Sequence, residues 1–296
     1  MSTAVIDVRE LTKTFGPTRA LDRLDLRVEP GQVHGFLGPN GAGKSTTIRA
    51  LLGMLRPDGG RLRLLGGDPW RDAVRLHRRL GYVPGDVALW PNLTGTEAID
   101  TVVALRGHHD PRLRAELTER FALDPTRRCS AYSTGNRRKV ALVAALCSRV
   151  DLLVLDEPTA GLDPLMEEVF QQCVREAAAR GTTVLLSSHI LSEVEALCDH
   201  LTIVREGRAV RSGRLDRMRD LAATVVLVRP RTPLPGALLD RWDAADAGAG
   251  TLRLEVPAAD LDEALRVLAA AGVSHLECRP PSLEELFLAH YAGDRA

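Results

Sequence analysis

Short, wholly apolar runs and amphipathic stretches take turns along the first two thirds of the chain. Residues 152–155 (Leu-Leu-Val-Leu) and 183–186 (Thr-Val-Leu-Leu) are continuous runs of the kind found in strands buried on both faces of a parallel sheet. Residues 24–28 alternate apolar and polar side chains, as a strand with one wet face does. Residues 33–37 read as a strand entering a glycine-rich turn, followed by a helical stretch over 44–55. Between the two apolar runs lies a well-punctuated helix: Asp163 suits its cap, Pro164 its first position and Gly181 its end. Strand, helix, strand in that order predicts a right-handed parallel crossover.

The stretch 86–140 is patterned differently. Thr94 with Glu97 three residues later has the form of a capping box, with helical sequence through Leu105, and 112–121 is a second helical segment. These predict a helical insert between parts of the sheet. Beyond Leu221 a smaller α/β domain is expected over 221–296. Its strands fall at 223–228, 252–256 and 273–278, its helices at 261–268 and 282–291, and Pro230, Pro233 and Pro235 stiffen a connection.

Composition narrows the classes. The 296 residues, 45% hydrophobic and 26% charged, suit one large or two ordinary globular domains rather than a disordered or fibrous chain. Lys+Arg and Asp+Glu both number 39, so neither a nucleic-acid footprint nor an acidic tail is expected. The clusters Arg127-Arg128, Arg137-Arg138-Lys139 and Arg75, Arg78, Arg79 read as solvated helix faces, too short and too poor in aromatics for nucleic acid. Cys129, Cys147, Cys173, Cys198 and Cys278 are scattered, which reads as a reduced, cytosolic set. No apolar run approaches the roughly 20 residues that cross a bilayer, and residues 1–9 lack a basic-then-apolar export pattern. Work at a membrane would need another chain to span it. The basic residues are arginine except at Lys13, Lys44 and Lys139, so each lysine marks a place to look for chemistry that arginine cannot do.

One such place is Gly38-Pro39-Asn40-Gly41-Ala42-Gly43-Lys44-Ser45, followed by Thr46. It matches G-x-x-x-x-G-K-[ST] between an expected strand and an expected helix. Glycines let the backbone wrap a phosphate, Lys44 brings a compact charge to the β and γ phosphates, and Ser45 offers a hydroxyl to Mg²⁺. Asp156 and Glu157 end the strand 152–157: the first suits a Mg²⁺-organising carboxylate, the second a base that polarises the attacking water. His189 ends the next strand, where it is placed to contact the γ-phosphate and hold the water in line.

Over residues 5–213 the chain resembles the ATP-binding-cassette ATPases. Tyr132-Ser133-Thr134-Gly135-Asn136 is similar to the family signature, usually L-S-G-G-Q, and lies just before the acidic strand as in the family. The resemblance implies that Ser133, Thr134, Gly135 and Asn136 close over ATP held by a second subunit. It implies that Asp163, in Ala160-Gly161-Leu162-Asp163, belongs to a loop crossing the dimer interface, and that Phe15 stacks on adenine. It also implies an α/β fold: a P-loop NTPase core with an antiparallel β subdomain and the helical insert, spanning 1–220.

Two departures stand out. Thr134 and Asn136 replace the commonest Gly and Gln, as in the drug-exporting branch. In Gly81-Tyr82-Val83-Pro84-Gly85, glycine stands where the family has glutamine or glutamate to coordinate Mg²⁺. Asp86 or a water would have to take its place, and weaker metal coordination with retained hydrolysis is expected. The tail Pro281-Ser-Leu-Glu-Glu-Leu-Phe-Leu288 resembles that of daunorubicin-resistance exporter ATPases.

The resemblance therefore implies an ATP- and Mg²⁺-dependent ATPase, paired with a second such subunit as a homodimer. It would drive export of a small, amphiphilic or drug-like molecule through separate ABC-2 type integral-membrane permeases. Its expected location is the cytoplasmic, inner face of the plasma membrane. Two other readings stay open. One is a soluble ATPase switch on ribosomes or DNA, whose relatives carry two cassettes or long coiled-coil inserts. The other is a nucleotide-binding regulatory subunit with poor turnover, for which Gly85 alone argues.

Overall fold

A computed structural model describes residues 4–220 and 223–285. The chain forms two compact units that divide between Gly213 and Arg214, a little before the change of composition near Leu221. Each is built round its own apolar core.

The first unit begins with antiparallel strands β1 (Ile6–Phe15) and β2 (Thr18–Val28), then β3 (Val33–Leu37), α1 (Lys44–Leu51), β4 (Gly59–Leu64), α2 (Ala73–His77) and β5 (Leu80–Val83). The helical insert supplies α3 (Gly95–Arg106), α4 (Pro111–Arg120) and α5 (Thr134–Leu146). β6 (Leu152–Asp156), α6 (Pro164–Ala179), β7 (Thr183–Ser188), α7 (Leu191–Leu197), β8 (His200–Arg205) and β9 (Arg208–Arg214) complete it. A six-stranded sheet runs β5-β6-β7-β3-β8-β9, with β5 to β8 parallel to their neighbours. A three-stranded antiparallel sheet runs β2-β1-β4. β3, β6 and β7 are buried along their whole length, which is what their unbroken apolar sequence requires. One core joins the two sheets: Ile6, Leu24 and Leu64 pack with Phe36, Ile48, Val154 and Leu185.

Local signals act where expected. Asp163 caps α6 by accepting from the Met166 amide (3.0 Å), Pro164 opens the helix, and Gly181 follows it at φ 93°. Thr94 and Glu97 make a reciprocal capping box on α3. α1, however, ends at Leu51 rather than 55, because Leu52 and Gly53 (φ 69°) turn the chain away.

In the second unit α8 (Leu215–Asp220) leads to β10 (Thr224–Pro230), α9 (Gly236–Arg241), β11 (Ala245–Asp246), β12 (Leu252–Val256), α10 (Leu261–Ala271) and β13 (Val273–Arg279). Its antiparallel sheet runs β11-β12-β10-β13, and Val226, Leu254 and Leu268 surround the buried Trp242. Ser282 and Glu285 hydrogen-bond to each other's amides at the start of the expected closing helix, of which 286–291 lies outside the described residues.

Candidate nucleotide site

β3 carries the chain into the loop Gly38 to Gly43, and α1 starts at Lys44. Gly43, at the cap, has φ 107°, and a Cβ there would stand 2.8 Å from the Ala20 carbonyl oxygen, so only glycine fits. α1 has no side-chain cap and no acid in its first turn, which leaves its amides and positive end free for an anion. Lys44 is 5% exposed. Its Nζ donates to the carbonyls of Gly38 (2.6 Å) and Pro39 (3.1 Å). Burial pushes its pKa down, while Glu157 and Asp156 push it up, so both carboxylates lie within electrostatic reach of the loop. Ser45 is exposed and Thr46 partly so.

Asp156 closes β6, buried, with one carboxylate oxygen (Oδ1) that has no hydrogen-bond partner among the described residues. A buried partnerless carboxylate oxygen facing the phosphate loop's neighbourhood suits a divalent cation. Glu157 follows with left-handed backbone (φ 48°), its amide donating to the Ser187 carbonyl (2.9 Å). That turn directs its side chain to His189, with Nδ1 3.0 Å from Oε1. The parallel register that pairs Asp156 with Ser187 is what brings these two strand ends together.

Gly85 follows β5, and a Cβ on it would sit 3.4 Å from Asp156 Oδ2. Position 85, then, faces the Asp156 carboxylate, while Asp86 is exposed. The arginine cluster at 137–139 needs correction. Arg137 is exposed, but Arg138 is buried and hydrogen-bonded to the carbonyls of Pro84, Gly85 and Ala160. A buried carboxylate was also missed. Glu193 on α7 accepts from the hydroxyls of Thr159 and Ser188, tying the turn after Glu157 to the residue before His189. An acid in a helix's first turn has an ordinary explanation at the dipole, so nothing local distinguishes it.

Ser133 caps α5, its Oγ accepting from the Asn136 amide (3.3 Å), and Ser133 and Thr134 are exposed. Gly135 packs so closely on Gly161 that a Cβ would lie 2.6 Å from its carbonyl oxygen, which joins the signature segment to the loop leading to Asp163. α5 packs mainly on α3, α4 and β5, whereas α1 packs mainly on β2, β4 and β6, so the two helices have different principal neighbours. Phe15 is 48% exposed at the end of β1, and Lys13 Nζ sits 5.5 Å from its ring centroid while paired with Asp58 (2.8 Å).

Residues 21–160 match the family described as "ABC transporter". The chain is 37% identical to the daunorubicin/doxorubicin resistance ATP-binding protein DrrA of Streptomyces peucetius, over 99% of this chain and 95% of that one. It is 33% identical to the Nod factor export ATP-binding protein I of Rhizobium etli, covering 97% and 93%. A solved ATP-binding subunit of an ABC transporter superposes with a TM-score of 0.68 at 29% identity, over 73% of this chain and 92% of that one. The chain belongs to the ABC transporter family, as one of its ATP-binding, ATP-hydrolysing subunits.

Proposed function

We propose that the chain works as a homodimer in which each phosphate loop and the opposite signature segment enclose one ATP, powering export through ABC-2 type permease subunits from the cytoplasmic side of the membrane. The observation that carries this is the meeting of Glu157 and His189 at the strand ends beside Lys44. Lys44 leaves the Gly38 and Pro39 carbonyls for the β and γ phosphates. Ser45 and Asp156 would hold Mg²⁺, which would supply charge neutralisation to the phosphates. Glu157 accepts the proton of the attacking water, His189 holds Glu157 and the γ-phosphate in line, and the bond to the ADP oxygen breaks. Phe15 offers an open ring to adenine. Ser133, Thr134, Gly135 and Asn136 serve the partner's ATP, with Asp163 at the interface.

The exporter reading is supported by relatives named for daunorubicin resistance and Nod factor export, which suggests a small amphiphilic cargo. Among the described residues no helix is long and apolar enough to cross a membrane, so a separate chain would supply the channel. Steady-state hydrolysis by the wild type beside Glu157→Gln tests the site. Turnover should fall by about 10²–10⁴-fold in the variant. If neither protein turns over while both bind ATP, the reading as a regulatory subunit replaces this one, and Gly85 is the residue that favours it.

A further inference from the structure

Arg138 is an arginine with an unusual set of partners. It is 3% exposed and lies five residues beyond Ser133 on the signature helix. Its Nη1 donates to the Pro84 carbonyl (2.5 Å), Nη2 to Gly85 (2.7 Å) and Nε to Ala160 (3.3 Å). All three acceptors are backbone oxygens, and among the described residues no carboxylate stands within ion-pair distance of it. Burying a guanidinium without a counter-ion is unfavourable, and a small brace between two loops does not require one. A planar fork that can hold several acceptors in fixed directions does.

The two loops it holds both border the hydrolytic site. Residues 84–85 abut Asp156, since the Cβ direction of Gly85 ends 3.4 Å from Oδ2. Ala160 follows Glu157 by three residues, and its neighbour Gly161 packs on Gly135. The negative charge of Glu157, Asp86 and Asp156 also acts on the Arg138 guanidinium, in that order of strength.

We propose that Arg138 is a positioning residue for hydrolysis: it binds the signature helix to the backbone at Pro84, Gly85 and Ala160, and so sets the metal-facing loop that lacks a coordinating side chain at 85. The family's usual residue reaches the site with its side chain. Here the backbone of 84–85 is clamped from behind, and movement of α5 on closing over a partner's ATP is passed to the Asp156 side. The inference rests on the assignment of Asp156 to the metal and Glu157 to the water.

Arg138→Lys tests it, because one ammonium keeps the charge but cannot satisfy three divergent carbonyls. The full chain is compared for kcat, KM and melting temperature. Mn²⁺ is used in place of Mg²⁺ for spin-resonance spectra with ATP in a Glu157→Gln background. We expect KM within about threefold of wild type, kcat lower by about 10–100-fold and an altered Mn²⁺ spectrum. Unchanged kcat and spectrum overturn the inference. So does a kcat that falls only in step with ATP affinity and melting temperature, which marks a structural brace. Arg138→Gln, retaining a planar donor, is the second variant if lysine prevents folding, and failure of both to fold also counts against positioning. Failure of the underlying site assignment looks different: Glu157→Gln would retain turnover, or Asp156→Asn would leave the Mn²⁺ spectrum as in the wild type.

Discussion

Lys44 illustrates why lysine persists in an arginine-rich chain. Its Nζ is a single point that sits between two carbonyls of the loop, a compact charge that a planar guanidinium fork does not offer. Gly85 makes the opposite case, a position where a side chain is missing yet space exists for one. The 3.4 Å to Asp156 Oδ2 is ordinary contact, so Gly85→Gln should fold normally and lower the Mg²⁺ concentration for half-maximal hydrolysis. An unchanged titration would mean that the metal does not depend on position 85. His34 gives a pH effect remote from the site. It is buried on β3, with Nε2 2.9 Å from Thr202 Oγ1 and Nδ1 without a partner among the described residues. Burial first, then the stacked His200, press its pKa down from 6.5 to about 4 against the pull of Asp199. Between these values the unfolded chain binds the extra proton and the folded chain does not. Stability therefore rises with pH across this window and is lost as pH falls from 6.5 toward 4, by on the order of 3 kcal/mol. Urea unfolding at pH 7 and 4.5 should show the slope, and His34→Phe should flatten it.

Elements differ in how plainly the sequence announces them. β3, β6 and β7 are continuous apolar runs, and α3 and α6 carry their caps in the sequence, so the frame that presents Lys44, Asp156 and His189 is legible without coordinates. β1 and β9 are not, since their half-exposed, arginine-bearing sequences have no clean alternation, and β4, whose residues 61–64 do alternate arginine and leucine, is too short to stand out. Arg138 is illegible for another reason. Its acceptors are backbone oxygens 54, 53 residues before it and 22 after it, and carbonyls have no residue type to read. Glu193 is hidden likewise: Thr159 is brought to it from 34 residues away by the fold, and Ser188, five residues before it, by the turn between β7 and α7. The capping box of α3 is the simplest element to test. Thr94 Oγ1 accepts from the Glu97 amide at 3.2 Å, and Glu97 Oε2 accepts from the Thr94 amide at 2.7 Å. Thr94→Ala should cost about 1 kcal/mol. In calorimetry that lowers the melting temperature by about 2–4 °C.

At the scale of the molecule, the proposed ATP site is half of one. The exposed Ser133 and Thr134 begin a helix whose main packing partners are α3, α4 and β5, and Leu165 beside Asp163 is 65% exposed, with Ile190 beside His189 also open. Apolar side chains flanking a polar site on a free surface suit a partner. Glu157→Gln with ATP should sediment as a dimer. Adding Leu165→Glu should weaken that dimer by at least about tenfold, and sedimentation of both variants as monomers with saturating ATP would refute the paired site.

The left-handed backbone of Glu157 has one more consequence. A residue with a Cβ sits there at a cost of about 1 kcal/mol, which glycine escapes. Glu157→Gly is thus expected to melt no lower than the wild type while hydrolysing almost nothing. Left to thermodynamics alone, drift at this position would run toward glycine. A chain carrying glycine there would remain a sound protein without its engine, so glutamate at 157 is accounted for by the work proposed for it and not by durability.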